Sequence, residues 1–269
     1  MAKRVSLIFL VLVLILAGSG YWAYTKLRTA LLGDGCKITT DESSIELDLD
    51  EAPNAATIAA VAYKKHLPER AVVIALATAE QESHIENLDY GDRDSVGIFQ
   101  QRPSQGWGTE KQLADPVYAA DRFYSALIKI KNYEKLDLHD AAQRVQRSAD
   151  GSLYAQHETM AEVLAAGYTG RVPAAVTCWY PDHEATAPNH AKALSELARN
   201  YGAKTETLAD GVKAPSKTVG WSYSSWLVAH ASKYGIVKVR FDGHSWTPGH
   251  GNDGWSTSKT APTDRVVIS

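Results

Sequence analysis

The sequence has no run of lysine or arginine residues, and its charges nearly balance, with 28 Lys+Arg against 31 Asp+Glu in 269 residues. Proteins that bind nucleic acid through its phosphates usually carry a basic patch or stripe. The composition therefore predicts no nucleic-acid partner. A chain of this length can bury one large or two small hydrophobic cores.

Metal-binding motifs are also absent. The aspartates of the segment 89–94 do not follow the EF-hand calcium spacing, and a solvated turn rich in Asp and Gly explains them more simply. His230, His244 and His250 lack the spacing of a zinc-binding HExxH motif. We therefore predict neither a metal ion nor another cofactor.

Cysteine is scarce, since the chain contains only Cys36 and Cys178. In an oxidising compartment two such cysteines most simply pair. The bridge would tie together the two ends of the domain between them. We therefore predict a Cys36–Cys178 disulfide, with two unrelated free thiols as the alternative.

One uncharged apolar run is present, at residues 5–24. Twenty helical residues span about 30 Å, the thickness of the hydrocarbon core of a membrane. A cleaved signal peptide is the alternative, but the run is long and has no clean Ala-x-Ala cleavage site. We therefore predict a single-pass anchor in the cell membrane, with the following domains on the extracytoplasmic side.

The remaining patterns divide the chain into four parts. Residues 1–28 would be a cytoplasmic stub and transmembrane anchor, and residues 29–53 an acidic extracytoplasmic linker with little structure. Residues 54–182 show helical apolar periodicity without a strong strand, which predicts a mainly α domain. Residues 187–269 combine helical stripes with alternating strand patterns, which predicts a small α+β module.

A buried helix ends in two glutamates. Pro68 suits its first turn, and the apolar residues of the segment 72–79 predict a broad buried face. Glu80 and Glu82 lie two residues apart, so they leave the helix on different sides and at most one can enter a cleft. We choose Glu82, whose position at the end of the helix lets its carboxyl open onto a groove and act as a general acid. Two solvated surface glutamates are the alternative.

The loop after this helix offers groups that suit a saccharide. Gly97 lets the backbone approach a ligand closely, and Gln100 and Gln101 offer amide donors and acceptors to an N-acetyl group. Trp107 offers an aromatic face for a sugar ring, with a place in the core as its alternative. A later helical stripe brings Gln146 close to the same bundle.

Two segments together resemble a known enzyme family. Glu-Ser at 82–83 and Ser-Val-Gly-Ile-Phe-Gln at 95–100 are similar to the paired signature of the lysozyme-like soluble lytic transglycosylases, in which a helix-ending Glu-Ser precedes a Ser-x-Gly-Leu-Met-Gln-type segment. The longer strings at 86–95 and 101–103 are similar to a version in membrane-anchored actinobacterial proteins. The resemblance covers roughly residues 55–180, under half of the chain.

This resemblance implies a lysozyme-like fold for residues 54–182 and cleavage of peptidoglycan glycan strands. Glu82 would serve as general acid and then base on the β-1,4 bond between N-acetylmuramic acid and N-acetylglucosamine, leaving a 1,6-anhydro product. Ser83 and Ser95 join the predicted substrate-binding residues, which also include Gly97, Gln100, Gln101, Trp107 and Gln146.

Two alternatives stay open. A lysozyme-type hydrolase needs a second carboxylate, for which Asp94 is the first candidate and Asp92 the next. A non-catalytic wall-binding or scaffold protein is the other alternative. It stays open because the family's third motif, of Ala-Tyr-Asn-Ala-Gly type, is replaced here by the segment 142–148.

Overall fold

A computed structural model describes Gly20 and residues 33–147, 152–180 and 187–269. Residues 35–269 form one compact unit, which is about half helical and contains two antiparallel sheets. Its helices are α1 (Glu51–Lys64), α2 (Glu69–Ser83), α3 (Glu110–Leu113), α4 (Pro116–Leu127), α5 (Leu138–Gln146), α6 (Ser152–Ala155), α7 (Glu158–Tyr168), α8 (His190–Tyr201), α9 (Lys217–Ala229) and α10 (Ala231–Tyr234). Its strands are β1 (Gly35–Thr39), β2 (Ser44–Leu47), β3 (Val176–Trp179), β4 (Thr207–Leu208), β5 (Gly211–Lys213), β6 (Val239–Phe241), β7 (His244–Trp246), β8 (Ser256–Thr257) and β9 (Arg265–Ile268).

Helix α2 lies at the centre of the helical part. Pro68 precedes it in an extended conformation, and every residue of the segment 71–79 is buried. Many of these residues are alanines, whose small side chains let α1, α4, α5, α6 and α7 approach the helix from several sides. The predicted buried helix is thus confirmed, including its end at Ser83.

The disulfide joins the first sheet. The strand order is β2-β1-β3, with both pairs antiparallel. Cys36 on β1 lies directly opposite Cys178 on β3, and their sulfurs are bonded at 2.00 Å. The predicted Cys36–Cys178 pairing is therefore confirmed. β1 and β2 lie in the segment 29–53, which we expected to have little structure.

The second sheet and α9 complete the core. This sheet has the order β4-β5-β9-β6-β7-β8. The whole of the segment 220–229 in α9 is buried, and the helix contacts α1, α7 and β3 as well as β6 and β9. Two of its hydroxyls donate to the end of α7, from Ser222 to the Tyr168 carbonyl and from Ser225 to the Gly167 carbonyl. Helices α1 and α7 and the second sheet therefore share one hydrophobic core with α9.

The predicted fold class needs correction. We expected a mainly α lysozyme-like domain with a transmembrane helix and a small C-terminal α+β module, whereas the structure is α+β with two antiparallel sheets. The strands are only two to five residues long, which is too short for a clear alternation of apolar and polar residues. Periodicity therefore identified the helices and missed most of the strands.

The predicted membrane anchor also needs correction. Apart from Gly20, the segment 5–24 lies outside the described residues. The longest helix of the described ranges, α2, has 15 residues and extends over roughly 22 Å, against a hydrocarbon thickness of about 30 Å. No helix in those ranges is long and apolar enough to cross a bilayer. The predictions of a single-pass transmembrane helix and of a cell-membrane location are withdrawn.

Candidate active site

The Glu-Ser pair and the following loop meet at the end of α2. The helix is closed by His84 and Ile85, whose φ angles of 55° and 60° turn the chain sharply away from the helix axis. Buried Ser83 donates a hydrogen bond to the Ile98 carbonyl at 2.9 Å. The two motif segments that carry the family resemblance are therefore bonded directly to each other.

Glu82 has a buried tyrosine as its partner. The Tyr154 hydroxyl donates to Glu82 Oε1 at 2.6 Å, and the tyrosine ring is buried on α6. The Glu82 side chain is half-buried, and Oε2 accepts no hydrogen bond from the residues that the structure describes. One carboxylate oxygen is thus held in place by Tyr154, while the other has no hydrogen-bond partner among the described residues.

Glu80 points elsewhere. Its Oε1 lies 3.2 Å from Nδ1 of His84, which follows it by about one helical turn at the end of α2. The two glutamates therefore have different partners, as their spacing of two residues predicts. Tyr154 was missed in the sequence because nothing in its short helix marks it. Only the folded chain places it beside Glu82.

Gly97 holds the tight turn of the motif loop. The segment 97–100 is closed by a bridge between Val96 and Gln101, and the Gly97 N–H donates to the Leu88 carbonyl at 2.7 Å. Gly97 has a φ of 78°, and a Cβ added there would lie 2.4 Å from the Leu113 carbonyl oxygen. The loop therefore has two separate reasons to require glycine at this position.

Gly97→Ala is expected to destabilise the protein by about 3 kcal/mol, since a left-handed conformation costs about 1 kcal/mol and the clash about 2 kcal/mol more. Gly106→Ala is the matched control, because Gly106 has a φ of 79° and nothing within 4 Å of the added Cβ. It should cost only about 1 kcal/mol. Urea unfolding of the two variants measures the difference, and equal losses would show that the turn is not packed as described.

The predicted glutamines hold the same loop. Gln100 Nε2 donates to the carbonyls of Tyr90 and Gly97, each at 3.2 Å. Gln101 is buried and its Nε2 donates to the Ala119 carbonyl on α4 at 3.3 Å. Their contact with substrate stays a prediction. In this structure the Gln100 amide holds the loop together, and the Gln101 amide joins it to α4.

The segment 142–148, which stands in the place of the family's third motif, also contacts the motif loop. Gln146, the last residue of α5, donates from Nε2 to the Phe99 carbonyl at 2.8 Å. Residues 142–147 of that segment are described, and Ser148 lies outside the described residues. The altered segment therefore still supports the motif loop, although its residue types differ from those of the family.

Asp94 is occupied by its own neighbours. Its Oδ1 accepts from Arg102 Nε at 2.8 Å and from the Ser104 hydroxyl at 3.0 Å, and its Oδ2 accepts from the Ser104 N–H at 2.7 Å. The hydrogen bond from Arg102 and those from Ser104 hold the pKa of Asp94 well below its ordinary value. Ser95 beside it is buried. Asp94 thus joins the loop to the short turn that follows it.

Trp107 lines a cavity that does not include Glu82. Its carbonyl accepts from Arg122 Nε at 3.0 Å, and its half-buried ring packs partly against the core. The cavity has a volume of ≈ 360 Å³ and lies between α4 and α5. A second cavity of ≈ 460 Å³ lies where Glu69 begins α2, roughly 20 Å along the helix from Glu82. Glu82 lines neither of these two cavities.

The arrangement around Glu82 can donate and accept one proton at a fixed position. A half-buried carboxyl with one oxygen oriented by a hydroxyl and one oxygen free suits general acid and base catalysis. No protein-family model and no curated protein matches this chain. The motif resemblance and the geometry of the site are therefore the observations that bear on its function.

Proposed function

We propose that the protein is a peptidoglycan lytic transglycosylase that cuts the β-1,4 bond between N-acetylmuramic acid and N-acetylglucosamine. The observation that carries the proposal is the setting of Glu82, at the end of a buried helix, with Oε1 held by Tyr154 and Oε2 free of described partners. The hydrogen bond from Ser83 to the segment 95–100 supports it, because it joins the two segments that resemble the family.

The proposed reaction uses one carboxyl group twice. Glu82 Oε2 first gives its proton to the glycosidic oxygen, the bond to C1 of the muramic acid breaks, and positive charge develops at C1 and the ring oxygen. The carboxylate then takes the proton of the 6-hydroxyl of the same sugar, and O6 bonds to C1. The products are a free N-acetylglucosamine end and a 1,6-anhydro muramic end. Tyr154 keeps the carboxyl in one orientation through both steps.

The hydrogen bonds of Asp94 support this mechanism over that of a lysozyme-type hydrolase. A hydrolase needs a second carboxylate to activate water or to bond to the sugar. Both oxygens of Asp94 are used by Arg102 and Ser104. To reach a substrate, Asp94 would have to give up one hydrogen bond from Arg102 and two from Ser104, and a hydrogen bond to a charged group typically contributes about 1.5–3 kcal/mol. Asp94 is therefore a residue that positions the loop.

Asp94→Asn is expected to keep turnover on purified peptidoglycan within about tenfold of wild type, far less than the loss of about 10²–10⁴ expected for a group that transfers protons. The amide keeps one acceptor oxygen but loses the charge that attracts Arg102. Asp92→Asn is the control, because Asp92 is exposed on the same loop and was the second candidate for a carboxylate. It should resemble wild type.

Liquid chromatography followed by mass spectrometry of the released fragments tests both variants. The proposal expects 1,6-anhydro products from each of them. A larger loss in Asp94→Asn than about 10²-fold, together with hydrolysed reducing-end products in wild type, would establish the hydrolase alternative with Asp94 as its second carboxylate.

A further inference from the structure

The cavity of ≈ 360 Å³ beside Trp107 has a strongly basic lining. Arg122 and Lys129 reach it from α4 and the turn after it, and Arg144 and Arg147 from the end of α5. Carboxylate side chains of the described residues do not line it. The cavity therefore concentrates positive charge around an indole ring.

These charges are not neutralised within the described ranges. Arg122 donates only to backbone carbonyls, those of Trp107 and Gly106. Arg144 and Arg147 are exposed and form no ion pair with a described carboxylate, and the same holds for Lys129. Four like charges around one cavity repel one another, and an anion between them offsets part of that repulsion. The cavity thus has the electrostatic character of an anion site.

Its size and its aromatic wall indicate what carries the anion. A volume of ≈ 360 Å³ lies at the lower end of the range for small-molecule sites, about 300–1,000 Å³. An aromatic wall offers apolar contact area to one face of a ring, while guanidinium groups bind carboxylate or phosphate with two parallel hydrogen bonds. A sugar that bears one of these groups meets both requirements.

We propose that this cavity binds an anionic sugar, with the ring against Trp107 and its carboxylate or phosphate held by Arg144 and Arg147. The site goes beyond the proposed cleavage reaction and does not depend on it, because Glu82 does not line the cavity. The two places are nevertheless linked through the motif loop. Gln146, next to Arg147, and Ser83, next to Glu82, both donate to carbonyls of the segment 98–99.

Three monosaccharides test the proposal by NMR on the full-length protein, with the indole N–H resonance of Trp107 as the reporter. N-acetylmuramic acid carries a carboxylate, N-acetylglucosamine 1-phosphate carries a phosphate, and N-acetylglucosamine carries neither. We expect at least one charged sugar to shift the resonance and the neutral sugar to leave it unchanged. The charged sugar that shifts it at the lower concentration identifies which anionic group the cavity prefers.

Charge variants identify the residues responsible. Arg144→Gln and Arg147→Gln should each weaken binding by about tenfold, since each removes a charge-assisted hydrogen bond. Arg240→Gln is the control, because Arg240 lies on β6 and does not line the cavity. It removes the same net charge and should bind as wild type does. Glu82→Gln should also bind normally, which separates this site from the cleavage reaction.

Three outcomes would overturn the proposal. They are a shift of equal size with the neutral sugar, no shift with any of the three sugars, and binding that survives in both Arg144→Gln and Arg147→Gln. Each is distinguishable from a failure of the proposed enzyme activity, because the reporter is the Trp107 resonance and no turnover is measured.

Discussion

Glu82→Gln is expected to lose about 10²–10⁴ of the turnover on purified peptidoglycan, with the larger loss favoured because one carboxyl serves both proton transfers. Glutamine has nearly the same size and still accepts from the Tyr154 hydroxyl at the position of Oε1. It has no acidic proton to give to the glycosidic oxygen. The fold and the binding of glycan strands should therefore stay close to those of wild type, and the loss should appear in kcat.

Glu80→Gln is the matched control for this experiment. It makes the same chemical change two residues away on α2, where the side chain contacts His84. Its turnover should stay within a few-fold of wild type. Equal loss in both variants would show that the end of α2 matters only for structure. If wild type and Glu82→Gln are both inactive and both bind cell wall, the non-catalytic alternative is established.

Removing the disulfide is expected to lower the free energy of unfolding by about 5 kcal/mol. Cys36 and Cys178 are 142 residues apart, so the bridge closes most of the described chain into one loop. In the chain-entropy description its main effect is to restrict the unfolded state. A loss of this size is comparable to the whole stability of many domains, which is about 5–15 kcal/mol.

The double variant Cys36→Ala/Cys178→Ala measures this loss by urea unfolding, and it avoids leaving one thiol free to react. Reduced wild-type protein should lose a similar amount. Thiol labelling of the native, non-reduced protein should find no free cysteine. Two labelled thiols per chain would contradict the Cys36–Cys178 disulfide, and a double variant as stable as wild type would contradict its expected contribution to stability.

The long helices were predictable because each carries its own periodic signal. The apolar residues of α2 and its end at Ser83 follow from local sequence alone. The same kind of local signal is present in α4 and α8, whose apolar residues recur at helical spacing. These features depend on interactions within one turn of the chain.

The sheets and the site contacts depend on residues that are far apart in sequence. β1 pairs with β3 across more than a hundred residues. The two cysteines indicated that these segments meet, but five residues carry too little pattern to show that they meet as strands. Tyr154 reaches Glu82 across 72 positions, and Arg102 uses Asp94 as an acceptor across a turn. The sequence therefore indicated which carboxyl to test. It did not show that a tyrosine orients it or that Asp94 is occupied.

The mass of the fragments released from purified peptidoglycan by the wild-type protein distinguishes a transglycosylase from a hydrolase. We expect disaccharide-peptide fragments with a 1,6-anhydro muramic end, each lighter by one water than a hydrolysed fragment, and we expect Glu82→Gln to release them at least about 10²-fold more slowly. Fragments with a free reducing muramic end, or anhydro fragments that Glu82→Gln releases at the wild-type rate, would contradict the proposed reaction.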